Sequence, residues 1–211
     1  MTTTPIIIIG GGEHARVVAD AVRSTETFRL LGFVDIAGTP DMARRVGAPL
    51  LGDDSALDRY PEAHIVLGVG ALRVTDVRER IVRSLGGDRR RWATVVHQRA
   101  WVSPSALLAQ GAFVSAGAVV QAGADVGAHA IVNTGAVVEH DVVIGEYAQV
   151  GPSAAIGGAS VVGARAYVGL GARVRDHIEV GAGAMVAMGA VVVKNVPPGA
   201  RVAGVPAKEM P

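Results

Sequence analysis

Residues 119–150 read VVQAGADVGAHAIVNTGAVVEHDVVIGEYAQV. A branched aliphatic returns at every sixth position: Val120, Val126, Val132, Val138, Ile144 and Val150. Followed outward, the phase holds from Val102 through Leu108 and Val114 at one end to Val180, Val186 and Val192 at the other, sixteen aliphatics without a slip. Four positions after each aliphatic the residue is mostly small, as at Ala112, Ala118, Ala124, Ala130, Ala136 and Ala148. This is the pattern of a parallel β-helix, in which each hexapeptide forms one side of a triangular coil. The aliphatic and the small residue point inward, and neighbouring coils stack at roughly 4.8 Å. One coil cannot bury itself, but a stack can. Glycine often follows the aliphatic, at Gly127, Gly145, Gly151, Gly157, Gly163, Gly169 and Gly181, where it is expected to relieve the corner.

The rest of the chain differs in composition. Residues 1–97 carry 25 of the 39 Asp, Glu, Lys and Arg side chains, and the longer remainder carries 14. Pro5–Ile9 is a short β-branched run, hence a buried strand, and Gly10-Gly11-Gly12 follows it. A helix is expected over about Glu13–Arg23, with Val17, Val18, Ala21 and Val22 on its apolar face. Further strands are expected at Leu30–Asp35, His64–Gly68 and Trp92–Val96, and a charged helix at Val74–Leu85. Alternating strands and helices imply a parallel sheet. The expected organisation is an α/β domain over 1–97, a β-helix over 98–196 and a C-terminal tail over 197–211.

Composition removes several classes of function. The chain of 211 residues has no cysteine, which excludes a disulfide scaffold, a thiolate zinc site, an iron–sulfur cluster and a cysteine nucleophile. A net charge of +1 gives no argument for nucleic acid or an anionic membrane. Apolar runs such as Ile6–Ile9 are far too short to span a bilayer, and Met1–Pro5 has no basic segment typical of a signal peptide. A cytoplasmic protein without membrane insertion is the expectation.

Two places break the local pattern in ways that suggest chemistry. Glu139-His140-Asp141 puts an imidazole between two carboxylates within a repeat of small, neutral residues. Neutral imidazole accepts a proton near pH 7, and an adjacent carboxylate can orient it and stabilise the imidazolium. A solvated corner triad is the plainer reading of the same residues. The loop Gly10-Gly11-Gly12-Glu13-His14-Ala15 matches G-x-G-x-x-A, with Asp35 twenty residues after Ala15. Alone, that spacing predicts a dinucleotide site, with a pyrophosphate at a helix N-terminus. A nucleotide-diphosphate sugar carries the same pyrophosphate and fits the short domain better. Gly68 and Arg73 follow another strand end, where such sheets bind ligands. The β-helix also holds His129 and His177, but the hexapeptide count separates them from His140 by a prism side or by two coils, so no metal site is expected within one chain.

The chain resembles the nucleotide-sugar N-acetyltransferase and sialic acid O-acetyltransferase branch of the hexapeptide-repeat acyltransferases. The resemblance is carried by Ile7-Ile8-Ile9-Gly10-Gly11-Gly12-Glu13-His14-Ala15, Gly32-Phe33-Val34-Asp35, His97, Val102-Ser103-Pro104-Ser105-Ala106, Asn133-Thr134-Gly135 through Glu139-His140-Asp141, and Gly204-Val205-Pro206-Ala207-Lys208. It implies a small Rossmann-like α/β domain followed by a left-handed β-helix, and transfer of acetyl from acetyl-CoA to the amino group of a UDP- or GDP-linked 4-amino sugar. His140 would be the general base and Asp141 its partner, with Glu139 next in line as a base. Gly11, Gly12, His14, Asp35, Gly68, Arg73 and Asn133 would contact the nucleotide sugar. Gln149, Gly158, Leu170 and Lys208 would line the coenzyme A path, in a groove between β-helices of a homotrimer. The alternatives are sugar O-acetylation, or a non-catalytic β-helical assembly protein that binds a nucleotide.

Overall fold

The computed structural model describes residues 3–70, 76–87 and 91–210. Arg73 and the start of the helix expected at Val74 lie outside them. The chain divides into two compact units, one running to Gly70 and joined by Val77–Gln98, the other from Arg99 onward.

The first unit is a four-stranded parallel sheet in the order β3-β2-β1-β4, formed by β1 (Thr4–Ile9), β2 (Phe28–Val34), β3 (Leu50–Gly52) and β4 (His64–Leu67). β1 is central, paired with β2 and β4, and Ile6–Ile9 are fully buried as the aliphatic run requires. Helix α1 (Glu13–Ser24) buries Ala15, Val18, Ala19, Ala21 and Val22. Val17, expected on that apolar face, is instead exposed: the buried stripe passes through Ala15 and Ala19, small residues that let the helix sit close to its neighbours. Helix α2 (Pro40–Val46) and strand β3 were not expected. α2 buries only Val46, so it shows no apolar period, and β3 has three residues. The strand expected over Trp92–Val96 is broken: Trp92 makes an isolated bridge to Ile65, and only Val95–Val96 is a strand. Helix α3 spans Val77–Ser84. Strand order turns at β1, because the chain runs β1 to β2 to β3 on one side and then crosses to β4 on the other. Sheets of this kind hold ligands outside the carboxyl ends of the strands at such a turn, here β1 and β4.

The second unit is a left-handed parallel β-helix. Sixteen two-residue strands run from Trp101–Val102 to Val191–Val192, and each ends on one of the sixteen aliphatics. Strands eighteen residues apart pair in parallel, as Val102 with Val120 and Val138 with Ile156, and so build three faces. Within the repeat, the first strand of face a starts at Trp101, that of face b at Leu107 and that of face c at Phe113. From Val114 to Val192 every phased aliphatic is buried, while Val102 and Leu108 in the first coil are half-buried. Face c continues past the repeat with Arg201–Ala203, against which Lys208–Glu209 runs antiparallel. Among the described residues no helix is long and apolar enough to cross a membrane.

The corners correct one expectation. From Gly111 to Gly189, every sixth residue has φ between 54° and 71°. Seven of these corner residues are glycine, and the other seven are His129, Asp141, Tyr147, Ser153, Ala159, Arg165 and His177. The glycines that directly follow the aliphatics are not at these positions. They are needed for another reason: a Cβ on Gly145 would lie 2.5 Å from the Ala164 nitrogen, and one on Gly157 would lie 2.4 Å from that of Asp176. Coil stacking demands glycine there, while the left-handed turn comes two residues later and tolerates side chains. Gly145→Ala is therefore expected to cost about 3 kcal/mol by overpacking against backbone. Gly189→Ala, at a left-handed corner with open space around it, should cost only about 1 kcal/mol. Denaturant titration of the two variants tests the order, and equal losses would refute it.

Candidate active site

His140 stands just before a corner on the edge between faces a and b. Its neighbour Asp141 is the corner residue, with φ of 59°, and the Asp141 amide donates to the Ala122 carbonyl one coil below at 3.0 Å. Aspartate is among the few residues that accept a left-handed backbone at modest cost. That turn aims the carboxylate back along the chain, so that Asp141 Oδ2 lies 3.0 Å from His140 Nδ1. Two glycines make room for the pair. A Cβ on Gly123 would fall 2.4 Å from Asp141 Oδ1, and one on Gly158 would fall 2.6 Å from His140 Nε2. The imidazole thus lies over the bare backbone of Gly158, one coil above.

Both side chains are open to solvent, at 63% and 68% of full exposure. The hydrogen bond that His140 donates to Asp141, reinforced by the charges of Asp141 and Glu139, raises the pKa of His140 above the ordinary imidazole value. With Nδ1 donating to the carboxylate, Nε2 carries the lone pair. This is the tautomer a general base needs.

In the α/β unit, the glycine loop after β1 is held by Asp35 at the end of β2. Asp35 Oδ2 accepts the Gly11 amide at 2.7 Å, and Oδ1 accepts the Ala37 amide at 2.8 Å. The Gly11 N–H is therefore committed within the protein. Gly11 is also required for packing, since a Cβ there would fall 2.5 Å from the Phe33 ring, and Gly68 is equally confined by Ile8 and the Gly10 carbonyl. Gly12 differs: a Cβ on it would meet nothing within 4 Å. It opens, with Glu13, Arg16 and Arg45, onto a cleft of about 360 Å³ at the start of α1. His14 packs its ring against Gly70, and burial, assisted by the Arg78 charge, lowers its pKa to about 4. His14 is thus neutral at pH 7, a hydrogen-bonding group rather than a cation. A second cleft of about 240 Å³ lies at the carboxyl ends of β1 and β2, bordered by Asp35, Ile36 and Asp54.

These features match solved structures over nearly the whole chain. GDP-perosamine N-acetyltransferase from Caulobacter crescentus, seen as a histidine-to-alanine mutant with CoA and GDP-perosamine, is 35% identical, with a TM-score of 0.88 over 100% of this chain and 98% of that one. The acetyltransferase domain of PglB from Neisseria gonorrhoeae, in complex with acetyl coenzyme A, is 32% identical, with a TM-score of 0.85 over 99% of this chain and 100% of that one. The chain belongs to the hexapeptide-repeat acetyltransferases of nucleotide sugars. The family model of the PglD N-terminal domain matches residues 5–85 of it. WeeI from Acinetobacter baumannii is similar at 25% identity, with a TM-score of 0.78 over 99% of this chain and 100% of that one. No curated protein sequence matches the chain significantly.

Within this acetyltransferase the fold gathers only some of the residues singled out from sequence. His140, Asp141 and Gly158 meet on one edge. Gly11, Gly12, His14, Asp35 and Gly68 surround the carboxyl ends of β1 and β4. Gln149 is buried on face c, opposite the His140 edge, and Lys208 lies on the antiparallel strand beyond that face. Asn133 and Leu170 lie near the edge between faces c and a, where Asn133 Oδ1 accepts the Thr134 amide. His129 is a buried corner stacked on Tyr147, and His177 sits two coils beyond Asp141 on its own edge. Among the described residues no three His, Asp or Glu side chains come together as a metal site. Arg16, Arg45, Asp54 and Ile36 were not anticipated. Arg16 follows the glycine loop by one helical turn, a signal that was available, whereas nothing in the sequence tied Asp54 to Asp35.

The neutral state of His14 has a measurable consequence. Its folded-state pKa is lowered, so the unfolded chain takes up a proton there as pH falls through the ordinary imidazole range, near 6.5, while the folded chain resists until about 4. Stability present at pH 7 should therefore decline between those values, and His14→Gln should flatten that decline by about one proton. Urea midpoints measured from pH 7 to 4.5 for both proteins test this; parallel curves would refute it.

Proposed function

We propose that the protein transfers the acetyl group of acetyl-CoA to the amino group of a 4-amino sugar linked to a nucleoside diphosphate, with His140 as general base. The observation that carries this reading is the His140–Asp141 pair, turned out of the coil by a left-handed corner and seated over Gly158. Acetyl-CoA supplies the acetyl thioester. The attacking amine must be neutral, and the bond it forms leaves a surplus proton on nitrogen. His140 Nε2 accepts that proton while Asp141 holds the ring and balances the imidazolium; the acetyl C–S bond breaks, and the coenzyme A thiolate leaves and takes up a proton from the imidazolium to become the free thiol. The α/β unit is the proposed nucleotide-sugar holder: the open Gly12 backbone and Arg16 meet the diphosphate, and His14 contributes a neutral hydrogen bond.

The proposed coenzyme path calls for more than one chain. His140 occupies the a–b edge of its β-helix and Leu170 the c–a edge, with face a between them. Leu170 and Met188, one coil apart, are 54% and 77% exposed and offer an apolar wall to a pantetheine arm. A groove containing both His140 and Leu170 therefore forms where one copy's edge meets another's, as a closed three-fold assembly provides. Face a turns Val119, Val137 and Ala155 outward, side chains suited to such a contact. Sedimentation should give a trimer, and an active monomer would overturn the shared groove.

Mass spectrometry of UDP- and GDP-linked amino sugars incubated with acetyl-CoA tests the activity, and fragmentation tells acetyl on nitrogen from acetyl on oxygen. His140→Ala should lower kcat by roughly 10²–10⁴ with assembly unchanged. The wild-type rate should rise with pH through the raised imidazole pKa and then flatten, and Asp141→Asn should move that rise to lower pH. A folded His140→Ala protein with the wild-type rate would refute the mechanism.

A further inference from the structure

The cleft at the carboxyl ends of β1 and β2 combines an aliphatic surround with carboxylates, and the carboxylates are not equivalent. Ile9, Val34, Val69 and Ile81 contribute apolar surface, and Ile36 stands 83% exposed at the strand end. Asp35 has both oxygens engaged by the Gly11 and Ala37 amides. Asp53 caps the 3₁₀ turn Asp54–Arg59 through the Ser55 amide and hydroxyl. Asp54, at the start of that turn and on the cleft border, accepts no hydrogen bond from any described residue. It is the carboxylate left to read a ligand.

Resting on the nucleotide-sugar reading above, the geometry points to Asp54 as the residue that selects the nucleotide base, and to guanine as the base selected. An ionised carboxylate only accepts hydrogen bonds, and it can accept two in parallel. Guanine presents that complement: N1–H and the 2-amino group are adjacent donors on one edge. Uracil offers a single N3–H between two carbonyl oxygens, which a carboxylate repels. The aliphatic side chains then cover the faces of the base, as apolar surface does in most small-molecule sites. Burial, with the charges of Asp53 and Asp35, raises the pKa of Asp54, so paired donors relieve a carboxylate that has few compensating partners.

Calorimetric titration of the full-length protein with GDP, IDP, XDP and UDP tests this. GDP should bind best. IDP, which lacks the 2-amino donor, should bind about 10–100-fold more weakly, the loss of one charge-assisted hydrogen bond. UDP should bind more weakly still. Asp54→Asn replaces two acceptors by one acceptor and one donor. It should lose at least about tenfold toward GDP and gain toward XDP, whose N1–H and 2-oxo group match the amide. A gain toward XDP is a result that no misfolded variant gives. Equal binding of GDP and IDP, an unchanged GDP affinity in Asp54→Asn, or no XDP gain overturns the assignment of Asp54 alone, provided nucleotide-linked amino sugars are still acetylated. Absence of binding by all four nucleotides, together with absence of acetylation, overturns the nucleotide-sugar reading and this assignment with it.

Discussion

Strands eighteen residues apart share their backbone hydrogen bonds, and that fixed step governs what each position of the β-helix can hold. The second strand residue faces inward and is a branched aliphatic. The residue four later is mostly small because it too is enclosed. The residue after the aliphatic runs so close to the next coil that glycine often occupies it. The first strand residue mostly faces outward and is free of these demands, as are two further positions, the residue before the corner and the corner itself. His140 and Asp141 occupy those two positions, so the proposed chemistry sits where the architecture leaves a choice.

The corner also supplies the geometry. A left-handed backbone at Asp141 turns its carboxylate toward its predecessor, and glycines one coil below and one coil above leave space for the two side chains. Small residues on adjacent coils thus leave room for Asp141 to orient an exposed imidazole. In the α/β unit the means are different. There Asp35 ties the glycine loop to the end of β2, and packing around His14 removes the ring's charge.

The β-helix was legible because its period of six is imposed by enclosure at every coil, and enclosure shows directly as Val, Ile and Ala. The meaning of its glycines was not legible, because close backbone approach and a left-handed turn can both call for the same residue. Gly145 faces the backbone of the next coil, whereas Gly189 turns left-handed with open space around it. In the α/β unit, β1 and α1 announced themselves by an aliphatic run and an apolar stripe. α2 and β3, with little buried surface, did not. His140 could be found because it interrupts a neutral repeat. Gly11 and Gly68 looked like ligand contacts, yet close packing also requires glycine at both. Asp54 acquires its interest only once folding brings it beside Asp35.

The fixed step between coils also limits how such a chain can change over evolutionary time. A residue inserted within a strand shifts every later aliphatic off the interior and every later corner off its left-handed turn. Damage of that kind grows with distance from the lesion and cannot be repaired locally. Surviving insertions must leave the coil as a loop at a corner or arrive as a whole turn of eighteen residues. The edge that carries His140 is copied or lost in the same units, so lineages of this fold should vary in height by complete coils while the cross-section stays constant.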